Sequence, residues 1–150
     1  MVALHITDVK LFMQLLLAGE AFDKFSFVEG DICTSITYHL DGHSNYSFYT
    51  EEELEELKIE EFQNWAVTKG IVTKLISGKK LPVSMKLVLK KQGKEDVTYL
   101  LNIRFDGGNL ILVTGISRPT FSTDRSAEQE WDANAQGFLK KNQIVFEVME

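Results

Sequence analysis

The chain has 150 residues, 44% of them hydrophobic, and a formal net charge of −6. This composition predicts one globular domain, and the acidic balance argues against a simple basic nucleic-acid-binding protein. With no run of about 18 apolar residues and no basic region before an apolar N-terminal stretch, we expect neither a transmembrane helix nor a signal peptide. Its one cysteine, Cys33, cannot form an internal disulfide, which favours the cytoplasm.

The first half mixes helical and extended patterns. Helical spacing of Val9, Phe12 and Leu16 predicts a helix, and the alternation that follows predicts strand. That alternation is too long for one average strand, so it indicates either one long bent strand or two strands broken near Gly30. The predicted elements are a strand at 2–6, a helix at 8–21 capped by Thr7, the strand or strands at 25–40, a turn at 41–42, a return strand at 46–49, and an acidic surface helix within 51–61 capped by Thr50.

The second half centres on a predicted hairpin at 97–116. If Asp106 and Gly107 form its two-residue loop, Phe105 faces Gly108. That register gathers an apolar face, formed by Tyr99, Leu101, Ile103, Leu110 and Leu112. The other predicted elements are a strand at 62–66, a helix at 69–77 capped by Thr68, a strand at 83–91, a helix at 123–141 that buries Trp131 and Phe138, and a closing strand or tail from Ile144.

The two halves repeat an order of elements. Residues 2–50 and 62–116 each read as strand, helix and further strands. This predicts an α+β fold, in which two β-α-β-β-β units form a mainly antiparallel sheet with two helices on one face, plus a C-terminal helix. We expect a single domain over 1–150, with an acidic insert at 51–61 and the C-terminal helix and tail at 117–150.

That order is the topology of one domain of a DNA sliding clamp. Residues 64–79, Asn-Trp-Ala-Val-Thr-Lys-Gly-Ile-Val-Thr-Lys-Leu-Ile-Ser-Gly-Lys, resemble the lead-in strand and second helix of such a domain. The strands from Met85 to Gly115 are similar in order and length to those that follow this helix. The resemblance covers roughly 2–116 and implies that the second helix faces DNA.

Lysines are the candidate nucleic-acid-binding residues. No acidic residue occurs between Asn64 and Lys94, so net charge hides a basic segment. The pattern favours a solvated face balanced by the acidic segment 51–61, and the clamp resemblance implies the alternative, which is weak phosphate contact. The candidate residues are Lys10, Lys69, Lys74, Lys79 and Lys80.

The chain also resembles, over nearly its whole length, a family of uncharacterised proteins from Gram-positive anaerobic bacteria. Four segments carry this resemblance, and it implies no activity and no site. They are Ala-Leu-His-Ile-Thr-Asp at 3–8, Phe-Tyr-Thr-Glu-Glu-Glu-Leu-Glu-Glu-Leu at 48–57, Gly-Lys-Lys-Leu-Pro at 78–82 and Leu-Asn-Ile-Arg-Phe-Asp-Gly-Gly at 101–108.

No motif spacing assembles a nucleophile, a base and an orienting group, so we predict no catalytic residues and no cofactor. His39, Asp41 and His43 have side chains that bind zinc, but a turn at Asp41 would separate them. They are therefore the first suspects for a metal site that is not expected.

The sequence favours a non-enzymatic cytoplasmic binding or scaffold module with clamp-like architecture. Its expected partner is itself or another protein, because an open sheet edge invites pairing. Any nucleic-acid contact is expected to be weak, and no membrane contact is expected. The alternative is a small ligand-binding protein or enzyme with a pocket between the sheet and the C-terminal helix.

Overall fold

The computed structural model describes residues 1–78 and 80–149. In this part of the chain the strands are β1 Ala3–Ile6, β2 Ser26–Cys33, β3 Thr37–Asp41, β4 Ser84–Gln92, β5 Thr98–Asp106, β6 Asn109–Ser117 and β7 Phe146–Met149. The helices are α1 Val9–Leu17, α2 Glu51–Glu56, α3 Trp65–Ile76 and α4 Ser126–Lys141, with a 3₁₀ turn at Tyr46–Phe48. The strands form one antiparallel sheet in the order β3-β2-β4-β5-β6-β1-β7. The α+β class, the antiparallel sheet and the C-terminal helix are confirmed.

Helices α1, α3 and α4 contribute to one hydrophobic core with the sheet. The indole N–H of Trp65 on α3 donates to the carbonyl of Leu16 on α1 at 2.8 Å. Phe22, which follows α1, contacts Phe138 on α4 with ring centroids 5.2 Å apart. Aromatic contacts and this buried hydrogen bond therefore tie the helices together above the sheet.

The predicted hairpin forms, but its register differs from the prediction by two residues. Phe105 pairs with Leu110, and Gly107 and Gly108 make the loop with φ angles of 58° and 83°. Two successive positive φ angles are typical of a type I′ turn. Because a shift of two residues leaves each side chain on its own face, the predicted apolar face is confirmed. Its members Tyr99, Leu101, Ile103, Leu110 and Leu112 are all buried.

The long alternation at 25–40 forms two strands, so the two-strand alternative is confirmed. The predicted break near Gly30 is wrong, because the chain turns between Cys33 and Thr37. Gly30 lies within β2, where a Cβ atom would approach Leu87 Cδ2 to 2.9 Å. The glycine is therefore needed for close packing. A β-bulge between Phe27 and Glu29 also changes which residues face the core.

Two short predicted strands are wrong. Within the predicted strand at 46–49, residues 46–48 form the 3₁₀ turn. Residues 62–66 supply only two isolated bridges, Ser26 to Asn64 and His43 to Phe62. Helix α3 begins at Trp65, four residues before the predicted start, with Asn64 as its N-cap. Burial of Trp65 accounts for this early start, because the helix must turn that side chain into the core.

Side-chain caps mark the starts of α1 and α2. Helix α1 follows Asp8, whose side chain accepts from Leu11 N, so the predicted Thr7 cap is wrong by one residue. It ends at Leu17, short of the predicted residue 21. The predicted Thr50 cap is confirmed, because Thr50 and Glu53 form a reciprocal capping box at the start of α2.

Candidate functional site

The candidate nucleic-acid-binding lysines lie on or beside α1 and α3. Lys10 on α1, Lys74 on α3 and Lys80 after α3 are exposed. Helices α1 and α3 contact each other, so Lys10 and Lys74 belong to neighbouring elements. Lys79 lies outside the described residues.

Lys69 differs from the other described members of this set because its ammonium group is already paired. Its Nζ donates to Asp23 Oδ1 at 2.7 Å and to the Gly19 carbonyl at 3.0 Å. The side chain is only 19% exposed. Lys69 therefore fastens α3 to the segment after α1, and the exposed charge comes from Lys10, Lys74 and Lys80.

The first suspects for a metal site pair with separate carboxylates. His39 Nδ1 lies 2.6 Å from Asp31 Oδ1, and His43 Nδ1 lies 2.7 Å from Asp41 Oδ1. Among residues 1–78 and 80–149, no three His, Cys, Asp or Glu side chains gather as metal ligands would. Glu29, Asp31 and His39 instead lie along the paired strands β2 and β3.

Asp41 is the last residue of β3, and backbone pairing continues past it, because Gly42 N–H donates to the Val28 carbonyl and His43 bridges Phe62. The backbone N–H of His43 donates to Asp41 Oδ1 at 2.9 Å, which is the local bond that Asp makes in many turns. This bond, supported by the His43 side chain, holds the pKa of Asp41 below its usual value. The turn predicted at 41–42 is therefore wrong, because Gly42 is buried and its backbone pairs with Val28 and Gln63.

A pocket of about 320 Å³ lies between the sheet and α4. Its walls come from the segment after α1, from β5 and β6, and from α4. Aromatic and aliphatic side chains dominate this lining, and they include Phe22, Phe25, Tyr99, Leu101, Trp131 and Phe138. The pocket thus lies between the sheet and the C-terminal helix, at the position named in the alternative prediction of a ligand-binding protein or enzyme.

One wall of this pocket is a fixed aromatic pair. The rings of Tyr99 and Trp131 stack with centroids 4.7 Å apart and planes 3° from parallel. The indole N–H of Trp131 donates to the Leu100 carbonyl at 3.0 Å, which sets the orientation of the indole. Gly93 lies against Tyr99, where a Cβ atom would be 2.7 Å from Tyr99 Cζ. These contacts hold the Tyr99 and Trp131 rings in one arrangement.

Lysine side chains lie at the mouth of the pocket. Lys24 and Lys91 line both this pocket and a neighbouring polar cleft of about 540 Å³. Both are exposed, and Lys91 Nζ lies 5.9 Å from the centre of the Phe25 ring. The cleft also contains Lys90 and Asn64, so the polar surface continues outward from the aromatic pocket.

Comparison with protein families gives one match that covers most of the chain. The model described as Family of unknown function (DUF5721) matches residues 15–99 and 90–147. The chain belongs to the DUF5721 family. This confirms the resemblance to a family of uncharacterised proteins. No curated protein and no solved structure matched the chain.

The pocket of this DUF5721 protein falls within the matched residues. Its lining runs from Ala21 to Phe138, whereas Lys10 precedes the first matched residue. Among the described residues, no helix combines the length and the apolar character needed to cross a membrane.

Sequence reasoning missed the residues that form the entrance of the pocket. Lys24 was not singled out, and Phe22 and Phe25 were not connected with the last helix. The available signal was the close spacing of Phe22, Phe25 and Phe27, three large apolar side chains that a short loop rarely leaves exposed. All three are buried.

Proposed function

We propose that this DUF5721 chain is a non-enzymatic binding module whose ligand is a small molecule held between the sheet and α4. The observation that supports this proposal is the aromatic pocket of about 320 Å³, because ligand pockets usually measure about 300–1,000 Å³. Its walls are apolar and its lysines lie at the mouth. Such an arrangement can bind a small molecule and orient it.

Protein NMR tests this proposal through the two tryptophans. Small aromatic fragments should shift the indole N–H signal of Trp131, which lines the pocket, and leave that of Trp65, which is fully buried elsewhere in the core. Ala135→Leu should remove the Trp131 shifts, because Ala135 lines the pocket and a larger side chain would fill it.

Ala133→Leu is the matched control, because Ala133 is exposed on the same helix. It should leave the fragment-induced shifts unchanged. If no fragment moves the Trp131 signal at millimolar concentration, or if both leucine variants behave alike, the pocket is not a binding site and the proposal is wrong.

Self-association is a second candidate function, and an exposed apolar surface supports it. Strand β3 is a sheet edge, and beside it a groove of about 370 Å³ is lined by Phe48, Val67 and Ile71. These side chains are 82%, 64% and 54% exposed. Open edges and contiguous apolar patches are typical of surfaces that pair with another chain, here a second copy.

Light scattering with a concentration series tests self-association. The wild type should gain mass with concentration, and a Phe48→Ser, Ile71→Ser double variant should stay monomeric. Leu81→Ser is the control, because Leu81 is 80% exposed and does not line the groove. A wild type that remains monomeric at every concentration would contradict this candidate.

We also propose a clamp-like contact with DNA. It is supported by the exposed Lys10, Lys74 and Lys80 on or beside two adjacent helices. Binding to labelled duplex DNA, followed by fluorescence anisotropy, should be sequence-independent, with a log–log salt slope near −0.9 for each phosphate contact.

The Lys74→Glu, Lys80→Glu double variant should abolish DNA binding. Lys140→Glu with Lys141→Glu on α4 is the control of equal charge. Lys69 is left unchanged, because a glutamate there would face Asp23 and test folding instead. Absence of wild-type binding at low salt would refute the proposal.

The proposed location is the cytoplasm. Cys33 is unpaired and half-buried on β2. Reducing conditions keep such a thiol free, which supports this location.

A further inference from the structure

We propose that the pocket between the sheet and α4 selects an aromatic anion, with the ring among the aromatic side chains and the acidic group beside Lys24 and Lys91. This inference rests on the proposed function, since it names the chemical class of the ligand. It follows from the walls, the charges at the mouth and the neighbouring cleft.

The walls suit a flat aromatic ring. Tyr99 and Trp131 present a stacked pair, and Phe25 approaches Trp131 with ring centroids 6.3 Å apart. Aromatic side chains favour offset or edge-to-face contact with another ring. Because the Trp131 N–H already donates to Leu100, this wall offers a ring surface in place of a free indole donor.

The charges at the mouth favour an anion. Lys24 and Lys91 are the charged residues of the pocket lining, and no acidic residue is part of that lining. Within residues 1–78 and 80–149, neither ammonium group has a carboxylate oxygen within 4.0 Å. An incoming carboxylate would therefore meet cations that have no close acidic partner, and the same site would repel a cationic ligand.

The adjoining cleft gives the acidic group access to water. Lys24 and Lys91 lie where the aromatic pocket meets the polar cleft, and Lys90 lies farther along that cleft. A ligand with an apolar ring and a charged end can thus bury the ring while its acid stays partly solvated. This arrangement avoids the cost of burying a carboxylate completely.

Glu60 and Glu61 also line the cleft, but they do not line the aromatic pocket. Their charges disfavour a large polyanion that extends along the cleft. A compact monoanion, seated at the junction with its ring inside, avoids them. The inferred ligand class is therefore an aromatic carboxylate of small size.

Calorimetric titration with 2-naphthoate and its neutral amide, 2-naphthamide, tests this inference. The two probes share the ring and differ in charge. We expect 2-naphthoate to bind more tightly at low salt, with an advantage that shrinks as salt rises. Lys24→Gln and Lys91→Gln should each weaken naphthoate binding about two- to fivefold, as expected for partly solvated ion pairs, and leave naphthamide binding unchanged.

Control variants separate a specific site from general charge. Lys140→Gln removes an exposed lysine of α4 that does not line the pocket, and it should leave both affinities unchanged. Ala135→Leu should weaken both probes by filling the pocket. Asn134→Trp, at an exposed lining position, should also obstruct entry and serves if Ala135→Leu fails to fold.

The outcomes distinguish this inference from the proposed function. If naphthamide binds as tightly as naphthoate, or if both lysine variants bind naphthoate like the wild type, the anion preference is wrong and the pocket remains a ligand site. If neither probe binds, or if filling and covering the pocket change neither affinity, the inference and the proposed function both fail.

Discussion

Replacing Trp65 with alanine should lower the free energy of unfolding by about 3–5 kcal/mol. Trp65 is fully buried, packs against Phe27 with ring centroids 5.7 Å apart, and donates its indole N–H to Leu16. Leu16 lies in the last turn of α1, where helix carbonyls lack partners within the helix. The substitution would therefore leave a cavity and an unpaired carbonyl together.

Urea unfolding followed by far-UV circular dichroism measures this loss. Trp65→Phe keeps most of the ring but lacks the N–H donor, so it should cost about 1–3 kcal/mol, the price of an unsatisfied buried polar group. A loss below about 1 kcal/mol for the alanine variant would show that Trp65 does not anchor α3 to α1.

The second large loss of stability is expected in the hairpin predicted at 97–116. Leu101→Ala should cost about 2–5 kcal/mol, because Leu101 is 3% exposed between Leu89 on β4 and Thr114 on β6. Denaturant melts measure this cost.

Arg104→Ala is the control for the hairpin, since Arg104 is exposed on the opposite face of β5. Its cost should stay within about 0.5 kcal/mol. If Leu101→Ala cost less than about 1 kcal/mol while Arg104→Ala cost more, the two faces of the hairpin would be reversed.

The faces of this hairpin could be predicted from the sequence, whereas its register could not. Alternation of apolar and polar residues fixes the faces, because side chains alternate along a strand. The turn sequence Asp106-Gly107-Gly108 allows either of two neighbouring loops, and each preserves the faces. Positive φ at both glycines favours Gly107-Gly108, which costs no steric strain.

The errors at β2 and α3 arose from packing between distant segments. Gly30 suggested a break, yet its lack of a side chain makes room for Leu87, which lies 57 residues later in the chain. Thr68 suggested a helix start, yet Trp65 reaches Leu16 and so belongs to the helix. Local propensity is a weak signal where tertiary contacts decide the outcome.

The candidate site was predictable in location but not in its residues. The expected helix at 123–141 and the hairpin indicated a possible pocket between them. The entrance depends on Lys24 and Lys91, which are far apart in sequence. They line the same pocket because β2, which begins just after Lys24, pairs with β4. Likewise, the partner of Lys69 is Asp23, 46 residues away, so no local pattern showed that its charge was paired.

A crystal structure of the protein grown with 2-naphthoate tests the central claim most directly. The account predicts the naphthalene ring between the sheet and α4, beside Trp131 and Phe22, with the carboxylate nearest Lys24 and Lys91. A structure in which side chains of the protein fill this space, and in which naphthoate is absent or bound elsewhere, would contradict the account.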